Sequence, residues 1–498
     1  MSESLICWRK IVRDRWLIAA LAALLILKFG IVAVYGPGRQ PDTGGYVVFA
    51  QQILLGTAWT AEVPLVEQPM PSTVFRSIGY PAVLAAAMAV MPQNWPWLVV
   101  GLQIVLSTAA MVLCFALARA FGASRWLAAL AVFAAGTSML LPVDVVLLTD
   151  SLAATCLITA LGLLTLGAVA RRRLHWVEAS CIGLLLAAAM LIRDGTAVLA
   201  SLFLLPLAAR LVSVPRGGRW RSAAAAILIF APMIATSQAY QAWNESRTGY
   251  RFLTTGAQTG YLMALVKAAR QDPTIFSGSE PLDRAARGIV VENTFAEVIE
   301  IVLRLHKEGM SAPEMAATMQ RRYFAAWRDH PAAMVRLTLT HLRENKLLPT
   351  VRPFGSVRDA ILWTTDKLPW PKYQELKQSA LRGEGSAMVL FFFEYAETWA
   401  SLIANYVALI APPIWLLAFW RPNSRPHWIT LSAMSLWGVC LGFLLAHAMV
   451  HFEHRYLAPV LPFIVVLAAG GIQGVLDRVM VGWRQFGTRI AGPPRTQN

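Results

Sequence analysis

Two short polar segments follow the first apolar stretch of this sequence, and their side chains are of kinds that carry out chemistry. Asp42 and Tyr46 lie in a Pro-Asp-Thr-Gly-Gly-Tyr segment. Arg76 and Tyr80 lie in an Arg-Ser-Ile-Gly-Tyr-Pro segment further along. A carboxylate can activate a hydroxyl by taking its proton, and a guanidinium can hold a phosphate. Because charged groups near a bilayer are costly and usually functional, these segments predict a site at the end of a membrane helix.

Further candidates lie at the ends of later apolar stretches. Asp150 precedes one of them, Arg193 and Asp194 separate two others, and a His-Phe-Glu-His-Arg-Tyr run precedes the last. We predict that Asp42 and Asp150 are catalytic. The residues predicted to bind donor or acceptor are Tyr46, Arg76, Tyr80, Arg193, His451, Glu453, Arg455, Tyr456 and Lys28.

Each of the acidic candidates also has a purely structural interpretation. Asp42 and Asp150 each stand close to the start of a predicted helix, where an aspartate is a favoured N-cap. Arg193 and Asp194 can form a salt bridge within a tight turn. These alternatives remain open at the level of sequence.

The remaining candidates have alternatives as well. Residues 451–455 can form a solvated loop or a metal site, although their spacing matches no zinc signature. Lys28 lies within the first apolar stretch, where it either extends to the interface or meets a buried phosphate. The sequence predicts no metal site and no definite cofactor, and a divalent cation remains an open question.

Composition places the chain among membrane proteins. Of its 498 residues, 57% are hydrophobic and 14% are charged, and the mean hydropathy is +0.53. Soluble domains have about 25% charged residues, so a soluble protein is excluded. The first stretch is too long for a signal peptide and lacks a small-residue cleavage site, so we predict an uncleaved helix. The five cysteines are scattered and predict neither a disulfide framework nor a CxxC metal site.

We predict an all-α polytopic bundle of about ten transmembrane helices, since a span needs about 20 apolar residues. The predicted spans are residues 16–35, 97–118, 125–143, 150–170, 175–192, 195–213, 222–241, 396–419, 428–448 and 456–476.

The arginines indicate how these spans are oriented. With a cytoplasmic N-terminus, all of the arginine-rich connections fall on the cytoplasmic side; they carry Arg119, Arg125, Arg171, Arg172, Arg173, Arg216, Arg219, Arg221, Arg421, Arg425, Arg478 and Arg484. This is the positive-inside pattern, and it predicts that both termini are cytoplasmic and that the site residues face outward. It also accounts for much of the net charge of +16, which therefore does not indicate nucleic-acid binding.

The order of the spans predicts three regions. Residues 1–241 form an N-terminal transmembrane module with a first external, catalytic loop at 36–96. Residues 242–395 form a long external region that is mainly helical, and residues 396–498 form the C-terminal transmembrane helices. Amphipathic or apolar external (periplasmic) helices are predicted at 46–55, 81–91, 281–309 and 312–348.

Carboxylates and guanidiniums at the outer end of a helical bundle suit one reaction in particular, the transfer of a sugar from a polyprenyl-phosphate donor. The lipid phosphate leaves without a general acid but needs cations as its charge grows. The acceptor hydroxyl needs a base. A transporter or lipid flippase is the main alternative, although such proteins usually have internal repeats and ionisable residues at the bilayer midplane. A structural or assembly protein is a third interpretation.

The motifs resemble those of the integral-membrane GT-C glycosyltransferases, in particular bacterial family 39 relatives of protein mannosyltransferases and of the lipid A aminoarabinose transferase. The resemblance rests on Asp42 with Tyr46, on the Arg-x-x-Gly-Tyr-Pro element at 76–81 and on the His-x-x-x-Arg-Tyr-Leu-x-Pro-x-x-Pro run at 451–462. This sequence departs from many relatives at Gly44-Gly45 and at Ser77-Ile78.

The resemblance implies a GT-C-like bundle and an inverting transfer from an undecaprenyl-phosphate type of donor. It places Asp42 at the family's catalytic acidic position and Asp150 where relatives often carry a second acidic residue. The expected partners are a polyprenyl-phosphate-sugar donor, membrane lipids and a lipid, glycan or protein acceptor, without nucleic acid. The expected location is the bacterial inner membrane.

Overall fold

The structure is a computed structural model, and it describes only part of the chain. The described residues are 8–59, 65, 67–138, 140–289, 294–344, 378–379, 381–385, 427–451 and 453–490. Within them the chain is helical, and the one extended pairing is an isolated bridge between Gly38 and Val146.

The helices of the described residues fall into two groups along the chain. The first group comprises α1 (Trp8–Val12), α2 (Arg15–Tyr35), α3 (Pro41–Leu54), α4 (Ser72–Phe75), α5 (Gly79–Val90), α6 (Trp95–Ala120), α7 (Arg125–Thr137), α8 (Leu140–Asp144), α9 (Thr149–Val169), α10 (Trp176–Ile192), α11 (Thr196–Leu199), α12 (Leu204–Ser213) and α13 (Arg219–Thr248). The second comprises α14 (Ala257–Ala269), α15 (Pro281–Ala286), α16 (Thr294–Lys307), α17 (Ala312–Asp329), α18 (Pro331–Glu344), α19 (His427–Val450) and α20 (Leu461–Ile490).

Seven segments of the described chain are long and apolar enough to cross a membrane, which confirms the multi-pass helical class. They are Arg15–Tyr35, Trp95–Ala120, Thr149–Val169, Thr196–Ser213, Arg216–Thr248, His427–Val450 and Leu461–Met480. The helices α5, α7 and α10 are apolar but shorter. The span predicted at 396–419 lies outside the described residues, so the total of about ten stays a prediction.

Several predicted boundaries were wrong. The span predicted at 125–143 is broken between α7 and α8. The last helix begins at Leu461, because residues His454–Leu457 form a 3₁₀ turn. The helix predicted at 312–348 ends at Asp329 and a new one begins at Pro331, since proline has no amide hydrogen to continue the first helix. The segment predicted at 281–309 contains two helices, α15 and α16.

The helix α9 is the centre of the bundle. It packs against α6, α10, α12 and α19, and most of its side chains are buried. The helix α20 packs against α6, α7 and α19 and thereby joins the end of the chain to its beginning. Because α3, α9, α10 and α19 all have one terminus at the same end of the bundle, the connections there can converge. We call this the site end.

The connections at the site end are held close to one another by backbone contacts. Gly36 ends α2 with a positive φ of 78°, which glycine adopts without strain. Gly38 then donates to Val145 O and accepts from the amide of Leu147, both at 2.9 Å. A Cβ on Gly79 would lie 2.6 Å from the backbone of Leu191, so only glycine permits this approach.

The helices α14 to α18 form a second core outside the bundle. Their buried apolar side chains include Leu262, Leu282, Ile301, Met315 and Leu337. This region contacts the end of α19, where the Tyr323 hydroxyl donates to Met449 O at 3.0 Å. The predicted boundary at 241/242 falls within α13, which ends at Thr248.

Candidate active site

Asp42 lies in the first turn of α3, and it is not the N-cap of that helix. The N-cap is Gln40, whose amide donates to the Thr43 hydroxyl at 2.8 Å, while Thr43 donates to Leu147 O at 2.9 Å. The capping interpretation of Asp42 was therefore wrong. Because Thr43 satisfies the helix start, the carboxylate of Asp42 is available for other partners.

The Asp42 carboxylate lies between two guanidiniums. Arg76 donates to Oδ1 at 2.9 Å and Arg455 donates to Oδ2 at 3.1 Å. Burial opposes ionisation of Asp42, but Arg76 and Arg455 outweigh it and hold the pKa of this carboxyl below its ordinary value. Asp42 is therefore ionised at neutral pH, and about a third of its side chain is exposed (32%).

Arg76 is held by aromatic side chains as well as by Asp42. Its guanidinium donates to the Tyr46 hydroxyl at 3.2 Å and lies 4.7 Å from the centre of the Tyr46 ring and 4.9 Å from that of Phe75. Tyr80 is fully buried, meets Tyr46 edge-on, and donates to Gln103 Oε1 at 3.0 Å. Tyr80 thus contacts Tyr46, whose hydroxyl binds Arg76.

A second chain of contacts reaches Asp42 from the segment before α20. The Nε of Arg455 donates to Glu453, and the other Glu453 oxygen lies 2.9 Å from His451 Nε2. Burial raises the pKa of Glu453, but His451 and Arg455 overcome this effect and hold it well below its ordinary range. Burial likewise opposes the charge of Arg455, and the surrounding carboxylates raise its pKa above the usual value.

Asp150 and Arg193 form an ion pair beside this chain of contacts. Asp150 lies in the first turn of α9, whose N-cap is Leu148, so the capping interpretation of Asp150 was wrong too. The Asp150 side chain is almost fully buried, and its Oδ2 has no hydrogen-bond partner in the described part of the chain. The Arg193 guanidinium lies 4.3 Å from the ring centre of Tyr456, a cation–π contact that fixes its position.

Arg193 and Asp194 do not form the salt bridge that the sequence left open, because Arg193 pairs with Asp150. Asp194 instead accepts hydrogen bonds from the amide of Gly195 at 2.9 Å and from the hydroxyl of Thr254. It thereby joins the turn after α10 to the segment before α14.

Lys28 lies apart from this cluster. Its ammonium is completely buried and donates to Asp144 at 2.6 Å, so the interpretation in which it extends to the interface was wrong. Sequence reasoning overlooked Asp144 as its partner. The signal was available, because a lysine inside an apolar helix needs an opposite charge nearby.

The structure therefore brings three guanidiniums and three carboxylates together at the site end; they are Arg76, Arg193 and Arg455, with Asp42, Asp150 and Glu453. Within the described ranges, no three His, Cys, Asp or Glu side chains come close enough to hold a metal ion. The chemistry that such a cluster permits is recognition of an anion by the guanidiniums and polarisation of a hydroxyl by a carboxylate.

Comparison with known proteins gives a structural likeness only. No family model and no curated protein matches the sequence. The fold is similar to that of the archaeal oligosaccharyltransferase AglB from Archaeoglobus fulgidus in complex with an inhibitory peptide and a dolichol-phosphate. The TM-score is 0.50 and the identity is 12%, over 99% of this chain and 53% of that chain.

A second solved structure is the apo form of the Archaeoglobus fulgidus oligosaccharyltransferase. It matches with a TM-score of 0.49 and 12% identity, over 97% of this chain and 53% of that chain. This chain thus spans about half the length of the structures it matches. At this identity the likeness to AglB concerns the fold alone. The chain therefore has a helical membrane-protein fold similar to that of AglB.

Proposed function

We propose that this protein is a membrane glycosyltransferase that moves a sugar from a polyprenyl-phosphate donor to an acceptor hydroxyl. The observation that carries the proposal is the position of Asp42 between Arg76 and Arg455, at the end of an apolar bundle whose fold is similar to that of AglB. The dolichol-phosphate in the AglB complex supports a donor whose phosphate is attached to an isoprenoid lipid.

In the proposed reaction the acceptor oxygen attacks the anomeric carbon from the face opposite the lipid phosphate. The new carbon–oxygen bond forms as the bond to the phosphate oxygen breaks, and the phosphate leaves with the electron pair. The configuration at the anomeric carbon is therefore inverted. The acceptor proton passes to a carboxylate, and Asp42 is our candidate for the group that takes this proton or orients the hydroxyl.

The three arginines retain donors for a phosphate even while they hold the carboxylates. A guanidinium has five N–H donors. Among the described residues, Arg76 and Arg455 each use two of their nitrogens and Arg193 uses one. Their side chains are 21–25% exposed, so a ligand can reach them. As the glycosidic bond breaks, these cations stabilise the growing charge on the phosphate.

The carboxylates have a second effect on these arginines. Glu453 and Asp42 bind Arg455 from two directions, and Asp150 binds Arg193. A guanidinium that is already oriented loses less entropy when it binds a phosphate. We therefore propose that Glu453 and Asp150 prepare the donor site, and that Tyr46 and Tyr456 support it through ring contacts.

We further propose that the site end faces outward and that the opposite, arginine-rich end faces the cytoplasm of a bacterial inner membrane. At the opposite end lie Arg119, Arg171, Arg172 and Arg216, as the positive-inside rule requires of cytoplasmic connections. The acceptor would be a hydroxyl of a lipid, glycan or protein.

Transfer by the purified protein tests the proposal. The protein is reconstituted in lipid nanodiscs with a radiolabelled polyprenyl-phosphate sugar and an envelope extract as the source of acceptor. We expect label to move from the lipid to an acceptor, with release of polyprenyl phosphate. A deletion strain should accumulate the donor. Loss of an exported product without donor accumulation, and no transfer in vitro, would instead support a transporter or flippase.

A further inference from the structure

A lysine and an aspartate form an ion pair inside the bundle, next to the proposed site but without contact to it. Lys28 of α2 and Asp144 of α8 are both completely buried, and their charged atoms are 2.6 Å apart. Asp144 also accepts hydrogen bonds from Ser107 of α6 and Ser151 of α9, each at 2.5 Å. One carboxylate thus joins four helices.

Such a pair is expensive to bury. Desolvation of two charges often exceeds their mutual attraction, so a buried ion pair is weak evidence for stability. Ionisable residues within the membrane-spanning part of a protein usually have a function. Neither Lys28 nor Asp144 is exposed to a substrate, so any function must act through the groups they hold.

The segment held by Asp144 leads directly to both candidate catalytic carboxylates. Asp144 is the last residue of α8, and the connection 145–148 follows it immediately. That connection pairs with Gly38, and its Leu147 carbonyl accepts the Thr43 hydroxyl, so it fixes the start of α3 that carries Asp42. On the other side, Ser151 is bound to Asp144 and is the neighbour of Asp150.

One further polar side chain holds this connection. Gln103 Nε2 donates to the carbonyls of Val143, Asp144 and Val146, and Gln103 itself is held by Tyr80. All of these groups are buried. Besides its bonds to Gly38 and Thr43, the connection is therefore held, among the described residues, by the Asp144 carboxylate and by the Gln103 amide.

We propose that Lys28 and Asp144 are positioning residues that set the distance between Asp42 and Asp150 by fixing the connection 145–148. The part of this inference that concerns catalysis rests on the proposed transferase function. Its structural part does not, because the order of the connection can be measured without substrate.

Two double variants test the proposal. Lys28→Met with Asp144→Leu removes both charges and all hydrogen bonds of Asp144. Lys28→Met with Asp144→Asn removes both charges but keeps groups that can bond to Ser107 and Ser151. Neither leaves an unpaired buried charge, which is the change that destabilises most. The matched control is Arg210→Met with Glu178→Leu, which removes a pair with a fully buried guanidinium at the opposite end.

The first measurement is hydrogen exchange by mass spectrometry in nanodiscs. We expect residues 36–43 and 145–150 to exchange at least tenfold faster in the Asp144→Leu double variant, with a smaller effect in the Asp144→Asn one and none in the control.

The second measurement is the kinetics of sugar transfer. Because a misplacement of about 1 Å can cost a hundredfold in rate, we expect kcat to fall on that order with little change in donor KM.

Three results would overturn the proposal: wild-type exchange in both segments of the Asp144→Leu variant, equal effects of the control pair, or failure of both double variants to fold. The last would show that the pair is needed for folding rather than for positioning. If the wild-type protein transfers no sugar, the proposed function fails, while the exchange data still decide whether the pair orders the connection.

Discussion

The guanidinium of Arg455 donates to the carboxylate of Asp42 at 3.1 Å, across 413 positions of the chain. This contact joins the segment before the last helix to the first turn after the first membrane helix. It forms because α20 packs against α6 and α7, which brings the end of the chain back to its beginning. The proposed base and a residue proposed to bind the donor phosphate are therefore parts of one polar cluster.

Asp42→Asn is expected to lower kcat by about a hundredfold or more, the usual scale for a positioned acid or base. Asparagine keeps the shape of the side chain but takes no proton and holds the two guanidiniums less firmly. The protein should still fold, because Gln40 and Thr43 provide the start of α3 and the Asp42 ion pairs are partly exposed. Initial rates at saturating donor measure the effect.

The control for this variant is Asp272→Asn, which changes an aspartate at the start of a 3₁₀ turn far along the chain. Asparagine also caps, so this variant should keep wild-type turnover. Near-normal turnover of donor-saturated Asp42→Asn enzyme would remove Asp42 from the catalytic step.

Arg455→Ala is expected to raise the Kd for the donor more than Arg455→Lys does. Lysine keeps the charge but loses the planar fork that binds phosphate in two places. Alanine also removes the positive charge that pairs with the carboxylates of Glu453 and Asp42. The measurement is binding of a non-hydrolysable polyprenyl-phosphate sugar in nanodiscs. The exposed pair Arg328–Asp329 supplies the control, and Arg328→Ala should not change the Kd. Unchanged affinity in both Arg455 variants would exclude this residue from the donor site.

The helical class, the GT-C resemblance and the grouping of candidates at helix ends were all accessible from sequence. The lengths of the apolar segments and the uneven distribution of arginines between the connections depend only on local composition, so the sequence is enough to predict the spans and their orientation. The start of α3 is a similar case, because Pro41 favours the first turn of a helix.

The partners of individual charged side chains could not be predicted from the sequence. Arg193 bonds to Asp150 rather than to its neighbour Asp194, and Lys28 bonds to Asp144 rather than extending to the interface. Both outcomes depend on which helices touch, since α9 packs against α10 and α8 lies against α6 and α7. Sequence separation gives no information about such contacts. The break at Pro331, in contrast, is a local signal, because a proline within a helical pattern ends or kinks the helix.

The orientation of the protein in the membrane can be tested by cysteine labelling. The five native cysteines are first removed. Ser279→Cys then places one exposed thiol in the α14–α18 region, and Arg216→Cys places one at the arginine-rich end. We expect an impermeant maleimide to label the first in intact cells and the second only after the membrane is opened. The reverse pattern would place the proposed site in the cytoplasm, where a nucleotide-sugar donor would become available.

The pH dependence follows from the lowered pKa of Asp42. Arg76 and Arg455 overcome the effect of burial and keep this carboxyl ionised below the ordinary aspartate pKa of about 3.9. Because the pKa of Asp42 is lower in the folded than in the unfolded protein, ionised Asp42 contributes to stability at every pH above its unfolded pKa. This contribution to stability is lost as the pH falls through the pKa that Asp42 has in the folded protein. Titration of Asp42 should therefore leave kcat/KM unchanged from about pH 5 to 8 and lower it only in stronger acid.

Arg76→Gln tests the cause of this behaviour, because it removes one of the two cations that lower the Asp42 pKa. The acid limb of the kcat/KM profile should then move to higher pH, and the loss of stability in acid should begin earlier. Arg328→Gln, which changes a distant exposed arginine, should leave the profile where it is. A wild-type limb at pH 6–7 that disappears in Asp42→Asn would mean that Asp42 has a raised pKa when substrate is bound. An unmoved limb in Arg76→Gln would mean that another group governs the acid side.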